Sequence, residues 1–521
     1  MTNIMPLNKT RTLKQAPSDG VTYADVALRY QQATGRRQNW ETLWQDCYDF
    51  TLPGRGEFRR SAGPGQAHTQ QIFDGTAMDA VDQLAASLLG NLTPPWMQWF
   101  GLRPGPDLPA REAYALAPVL ERAGQRLQAH FDRSNFAVEM HQCFLDLVIG
   151  GTASLFFEET MPGDFSAFRF AAAPLSDVAL EEGVSGRLDG TFRELSLTYA
   201  QLKARYVYAE LPAQLEKLSL KEPQRRYDIL EAILPEETGT RYLAFLREEG
   251  MSDVTLLNVR LPVSPVINSR WQKSPGEIYG RSPVMKALPD IKTANKVVEL
   301  TLKNASIAVS GIWQADDDGV LNTSNIQLKP GTIIPRAVGS RGLAPLEMPG
   351  RFDVSQLVLE DLRVRIRHAL LTDKLGPLNA PRMTATEVLE RAAEMALLLG
   401  ATYGRLQSEL LTPLIQRGFA ILRRRGVVPD VLVDGRTVMI DYRSPLATAQ
   451  SQRSVQNTLS WLNTVLAMGP ETANIVDLQQ AARRLAEALG VPGDLIRSPL
   501  PPENATEDQT RTVEHSTSPN N

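Results

Sequence analysis

Apolar positions recur at three- and four-residue intervals over much of this chain, the spacing of helices that bury one stripe. A first helix is expected from Thr22, placed as its N-cap, to about Phe50. Val26, Tyr30, Ala33, Trp40, Trp44 and Cys47 lie along one face of it. A Gly-rich loop follows, through Pro53–Gly56 and Gly63–Gly65. A second pattern, about Thr69–Leu89, carries Phe73, Ala77, Ala80, Leu84 and Leu88; Gly90 suits its C-cap and Pro94-Pro95 stop it. A third, 111–132, carries Leu116, Leu120, Ala123, Leu127 and Phe131. A fourth, 135–149, ends at Gly150-Gly151.

The pattern then shifts to strand-like runs. Thr152–Glu158, Ala167–Ala171, Val178–Glu182 and Thr191–Leu195 read as strands, the last two joined by a turn around Gly186 and Gly190. Tyr227–Leu234, Arg241–Arg247 and Val254–Val259 form a second group.

Helical spacing returns from Pro289 to Ser306. Leu288, Ile291, Val298, Leu302 and Ala305 make an apolar stripe. Lys292, Lys296, Glu299 and Lys303 make a second stripe, roughly 120° round the helix. Extended, Pro-rich chain runs on to Pro349, and a second helix spans about Asp353–Lys374. Its apolar positions are Val358, Leu362, Ile366 and Ala369, with Arg363, Arg365 and Arg367 crowding its second half. Gly376, Pro377 and Pro381 exclude 375–383 from a helix interior. The pattern resumes from Thr384 to about Arg425, where Pro413 predicts a kink. Val431–Tyr442 reads as a hairpin about Asp434-Gly435. Two closing helices carry Val455, Leu459, Leu462 and Leu466, then Leu478, Ala482, Leu485 and Leu489. Residues 1–20 and 500–521 lack periodicity and read as disordered.

Composition narrows the class. With 521 residues, of which 43% are hydrophobic, the chain is globular and exceeds one ordinary domain. A net charge of -4 excludes a protein that is basic overall, so any hold on nucleic acid is local or by enclosure. Arg281–Ser310 does hold a local +3, from Arg281, Lys286, Lys292, Lys296 and Lys303 against Asp290 and Glu299. That face fits a solvated helix surface or the lining of a polyanion channel. Cys47 and Cys143 are too few for a disulfide framework and sit on apolar faces, as reduced core thiols do. No apolar run reaches membrane-spanning length, and the first 20 residues lack the apolar stretch of a signal peptide.

Catalytic signatures are missing: no phosphate-binding P-loop, no dinucleotide fingerprint, no nucleophile elbow and no zinc helix. The five histidines, His68, His130, His141, His368 and His515, lack metal-ligand spacing. Asp316-Asp317-Asp318 fits a solvated turn or a divalent-cation site. The expectation is a binding or structural protein with no catalytic residue, cofactor or metal. The alternatives are a metal-dependent nuclease or recombinase using that acidic run, and a protein-only scaffold or adaptor.

A set of segments carries a resemblance. Asn91–Leu102 (NLTPPWMQWFGL) is similar to a signature of the head-to-tail connector, or portal, proteins of T7-like short-tailed bacteriophages. Phe144–Thr152, Asp189–Glu194 with Gln201-Leu202, Arg270-Trp271 with Glu277–Pro283, Pro289–Thr293, Met383–Val388 and Ser444–Ala447 follow in the family's order. The likeness covers roughly 22–450.

The resemblance implies an α+β, mainly helical portal fold of wing, stem, clip and crown, assembled as a ring of about twelve subunits round a DNA channel. It assigns 1–21 to a disordered arm and 22–288 to the wing. The stem helices are 289–306 and 351–374, with 307–350 the clip between them and 375–383 the tunnel loop. The long kinked wing helix and hairpin take 384–448, the crown helices 449–499 and a disordered tail 500–521. Lys292, Lys296, Lys303, Arg363, Arg367 and Lys374, with Gly376, Pro377, Asn379 and Arg382 of the tunnel loop, are the expected channel residues. Trp313, Asp316, Asp317 and Asp318 are the expected clip residues for motor and tail docking. Expected partners are further copies of the chain, double-stranded DNA, the terminase large subunit, tail adaptor and tail tube proteins, and the major capsid and scaffolding proteins, with no membrane. The expected place is the capsid portal vertex of the virion, and the host cytoplasm during assembly.

Overall fold

The computed structural model describes residues 21–53, 55, 58, 71–248, 254–310, 313–314, 344–345, 352–375, 399–468 and 476–488. Helices α1 (Tyr23–Thr51), α2 (Thr76–Leu92), α3 (Ala110–Asp132) and α4 (Phe136–Gly150) come first. Thr22 does cap α1, in a reciprocal box with Asp25. Helix α2 begins later than the apolar spacing predicts. The Asp74 carboxylate takes the Thr76 N–H at 3.0 Å, while the Phe73 and Asp74 N–H groups are held by Asn295 before the first turn. Gly90 is no C-cap; it lies inside α2, where an added Cβ would come 3.2 Å from the Trp96 ring. Gly151 caps α4 at φ +75°.

Two antiparallel sheets follow. The three-stranded sheet runs β3 (Phe168–Ala173), β2 (Thr152–Glu159), β9 (Val266–Arg270). The other is a meander of β4 (Val178–Glu181), β5 (Gly190–Thr198), β6 (Arg226–Glu236), β7 (Gly239–Leu246) and β8 (Thr255–Leu261). Alternation along β6 decides what covers it. Leu230, Ala232 and Leu234 pack with Val26 and Ala33 of α1. Tyr227 and Ile229, on the opposite face, pack with Leu202 of α5 (Tyr199–Arg205) and Leu215 of α6 (Ala213–Lys221). The main core joins α2, α3, α4, β2 and β3 to the helices that follow.

Helix α7 spans Pro283–Ser310, starting six residues before the expected Pro289, which sits inside it. Ser282 sets that start. Its hydroxyl accepts the Met285 N–H at 2.9 Å and donates to the Ile149 carbonyl at 2.8 Å, with Pro283 at the first helical position. Short strands β10 (Trp313–Gln314) and β11 (Ala344–Pro345) pair before α8 (Phe352–Ala369), which lies against α7. Leu371 at φ +60° separates α8 from α9 (Thr372–Leu375).

The kink expected of Pro413 takes the form of a π turn, Gln407–Leu411, ahead of α10 (Thr412–Arg424). Pro413 has no N–H for the carbonyl four residues back, and the wider turn absorbs the mismatch. The expected hairpin does not form. Strand β12 (Val438–Tyr442) pairs instead with β1 (Phe100–Pro104), Phe100 opposite Tyr442. Asp434 turns the chain by accepting the Arg436 and Thr437 N–H groups, at 2.8 and 2.7 Å. Ser444 caps α11 (Pro445–Ala467), and α12 (Leu478–Ala488) packs on it. The described elements make an α+β, mainly helical protein. No described helix is long and apolar enough to cross a membrane.

Candidate nucleic-acid interface

The basic helix pair α7–α8 is mounted on a junction of close backbone contacts. Gly280 donates its N–H to the Thr152 hydroxyl at 2.8 Å, and Trp271 N–H donates to the Gly151 carbonyl at 2.9 Å. A Cβ on Gly280 would lie 2.1 Å from the Gly151 oxygen, so both must be glycine. Tyr279 crosses the Trp44 ring edge-on, with centroids 4.9 Å apart, and its hydroxyl accepts the Leu180 N–H. Arg270, fully buried, grips Glu409 of the π turn at 2.6 Å. Residues scattered from Trp44 to Glu409 thus meet at the foot of α7.

Near that foot the apolar stripe is internal: Leu288, Ile291, Leu362 and Ile366 are buried. Farther along, Leu300, Leu302, Leu357 and Val358 are exposed, as is Val364 between the buried Leu362 and Ile366. Exposed apolar residues on two adjacent helices form a surface that association would cover.

Five of the expected channel residues, Lys292, Lys296, Lys303, Arg363 and Arg367, lie on this pair, but most of their charge is balanced. Lys292 reaches Asp46 of α1 at 2.6 Å and lies 5.8 Å from the Phe50 ring. Lys296 and Lys303 share Glu299, at 2.9 and 2.5 Å. The Lys303 bond and then the Lys296 bond hold the Glu299 carboxyl below its ordinary range. Arg363 bonds Asp74 at 2.9 Å and Glu360 at 3.0 Å, which fastens α8 to the start of α2. Arg365 bridges to Asp290 at 2.8 Å. Arg367 is exposed with no carboxylate partner among the described residues. The pair therefore offers long, exposed amines set among carboxylates rather than a continuous basic rail. Phosphates passing it would meet weak, salt-sensitive contacts.

Lys374 lies in α9 with only its backbone described, as does Trp313 in β10. Gly376, Pro377, Asn379, Arg382 and Asp316–Asp318 lie outside the described residues. Sequence reasoning missed Asp46, Asp74 and Glu360 as partners of the basic face. Only Glu360, three residues before Arg363, left a local signal.

Nothing described forms a catalytic constellation. No group of His, Cys, Asp and Glu able to hold a metal occurs among the described residues. His130 accepts the Ala167 N–H at 3.2 Å as a satisfied structural group. Cys47 and Cys143 are buried free thiols, and burial pushes Cys47 up to about 12 and Cys143 upward as well.

Residues 24–496 match the family model described as bacteriophage head to tail connecting protein. The chain is 26% identical to a probable portal protein of Bordetella phage BPP-1, over 90% of this chain and 87% of that one. It is 24% identical to the portal protein of Salmonella phage epsilon15, over 89% and 87%. It is 21% identical to the portal protein of Escherichia phage T7, over 77% and 75%. With most of its length matched by that model, the chain belongs to the family of bacteriophage head to tail connecting proteins.

Proposed function

We propose that this protein is the portal of a tailed phage, a ring at one capsid vertex through which DNA is packaged and ejected. The observation that carries the reading is the connector-family match across 24–496. In this reading α7 and α8 are the stem helices and 307–350 is the clip. Residues 375–383 form the tunnel loop and the helices after 450 the crown. The exposed apolar residues of the helix pair are covered by neighbouring subunits of a closed ring. Terminase, tail and capsid proteins dock on that ring, as does scaffolding protein during assembly in the host cell. Trp313 and Asp316–Asp318 belong to the docking end.

Charge fits transport. Twelve subunits at -4 each give a ring of about -48, so DNA is enclosed without being gripped. Lys296, Lys303 and Arg367 give repeated weak phosphate contacts, while Lys292 and Arg363 are held by the body of the subunit. Transport work then comes from a separate ATPase, and this chain hydrolyses neither ATP nor DNA.

Electron microscopy of the purified protein tests the assembly. Closed rings with a central hole are expected; a stable 57.6 kDa monomer at micromolar concentration overturns the reading. Metal-dependent DNA cleavage abolished by changing Asp316–Asp318 to Ala would replace it with a nuclease. Exchange of Gly376–Arg382 for a Gly-Ser linker is expected to spare ring formation and impair late packaging or genome retention. Unchanged packaging and retention would reduce that segment to a connector.

A further inference from the structure

A groove of about 340 Å³ lies between α3 and the turn that follows α10. Val119 and Ala123 of α3 line one side, and Val427, Val428 and Pro429 the other. Arg122 and Arg126, one turn apart on α3, stand over it. The volume falls within the range of about 300–1,000 Å³ typical of ligand sites.

The charge is uncompensated here. Neither Arg122 nor Arg126 has a carboxylate partner among the described residues, and both side chains are exposed. Their neighbours are paired: Arg425 with Glu159 at 2.7 Å, an acid that Arg424 shares, Arg443 with Glu121 at 3.0 Å and Arg423 with Asp430 at 3.7 Å.

The two guanidinium groups are also tethered. Arg122 Nε donates to the Pro118 carbonyl at 3.2 Å, and Arg126 donates to the Val427 carbonyl at 2.6 Å. Each tether uses one N–H of five, so the rest of each planar fork stays available. The opposite wall is fixed too. Gly426, at φ +71°, and Val427 donate their N–H groups to the Arg423 and Leu422 carbonyls, each at 3.0 Å. A rigid, part-apolar cleft under two preorganised cations loses little entropy on binding an anion.

We propose that this groove docks an acidic peptide segment of a partner protein, an apolar side chain seated against Val119 and Pro429 and its carboxylates on Arg122 and Arg126. The concave apolar floor favours a peptide over nucleic acid. A duplex is read by rows of cations along its phosphates, and a cleft of this size admits a side chain or two but no duplex.

The test uses the full-length protein and a fluorescein-labelled short peptide alternating Leu with Glu and Asp, followed by fluorescence anisotropy. Saturable binding is expected, weakening with added salt. The same peptide with Gln and Asn in place of the acids should bind about tenfold less tightly, as should the acidic peptide to the Arg122→Ala/Arg126→Ala variant. Because Arg126 also ties down Val427, Val119→Asp serves as a second variant: it repels the acid and leaves that tether in place. Circular dichroism melting confirms that each variant is folded. Equal affinity for the neutral peptide, or parental affinity in both variants, overturns the proposal. So does tighter, Arg122- and Arg126-dependent binding of a short DNA duplex, which would make the groove a nucleic-acid surface. Binding is read whether or not the protein forms rings, so its failure is distinct from failure of the portal reading.

Discussion

Arg270 and Glu409, 139 residues apart in the chain, form a double-ended ion pair inside the protein. Arg270 donates from its backbone N–H and Nε to one Glu409 oxygen, at 3.0 and 3.3 Å, and from its terminal nitrogen to the other at 2.6 Å. Its other donors reach the Ile278 and Gly186 carbonyls at 3.2 and 2.7 Å. The arginine is fully buried and the Glu409 side chain 9% exposed. The pair fastens the π turn to the foot of α7.

Removing one partner leaves the other out of water with only a longer ion pair, Arg270 to Glu182 or Glu409 to Arg405, each at 3.5 Å. Arg270→Ala and Glu409→Ala are each expected to cost about 3–5 kcal/mol, read by chemical denaturation. Arg270→Lys should recover little, since an ammonium cannot serve both oxygens and both carbonyls in one plane. A cost below about 1 kcal/mol for either Ala variant would show that the pair does not hold the junction.

The Gly151–Gly280 approach gives a steric prediction. Gly280→Ala places a methyl group 2.1 Å from a backbone oxygen, and Gly151→Ala adds strain at φ +75° to a similar clash. Each should lower stability by about 1–3 kcal/mol. Gly163→Ala is a useful comparison: its φ is also positive, +108°, but nothing lies within 4 Å. Its loss should stay below that of Gly280→Ala, and the reverse order in melting temperature would contradict the packing argument.

Lys296 and Lys303 separate function from folding. Their side chains are 60% and 63% exposed, so Lys296→Glu and Lys303→Glu should each change unfolding free energy by no more than about 1 kcal/mol. Rings should persist while packaging or retention of DNA falls. Unimpaired packaging by the double variant would place these lysines away from the DNA path.

Two buried aspartates should respond to pH in opposite senses. Burial is the largest influence on Asp146 and raises its pKa, with Arg55 and Tyr48 offsetting only part of the effect. Its contribution to stability is present below 3.8 and lost as pH rises through the raised folded value. Burial also acts upward on Asp74, but the Thr76 and Arg363 bonds outweigh it and leave the pKa lowered. That contribution is present above 3.8 and lost as pH falls through the folded value. Asp146→Asn should therefore gain on the parent as pH rises above 3.8, and the Asp74→Asn deficit should shrink as pH falls below it. Denaturant midpoints measured across that range check both signs.

Much of the architecture is local and therefore legible. Thr22 with Asp25, the Gly150-Gly151 pair at the end of α4, and the meander turns specify their elements within a few residues. The N-cap of α7 is also local, Ser282-Pro283, although the apolar stripe points to Pro289 as the start. The 431–442 segment departs from its expected hairpin for another reason. Asp434-Gly435 does turn the chain, yet β12 finds its hydrogen-bond partner more than 300 residues upstream, in β1. A turn signal says where a strand begins, not which edge it joins.

The sequence by itself determined the helix stripes, most of the strands, the basic character of the α7–α8 pair and, through its ordered segments, the connector family. Tertiary structure decided how that charge is expressed. Lys292 is balanced by Asp46 and Arg363 by Asp74, carboxylates 246 and 289 residues away in sequence. Coulomb energy depends on distance in space, which the order of residues along the chain does not state. The helices carry their lysines and arginines in their own sequence; only the fold reveals which are pinned to the body of the subunit and which stand free.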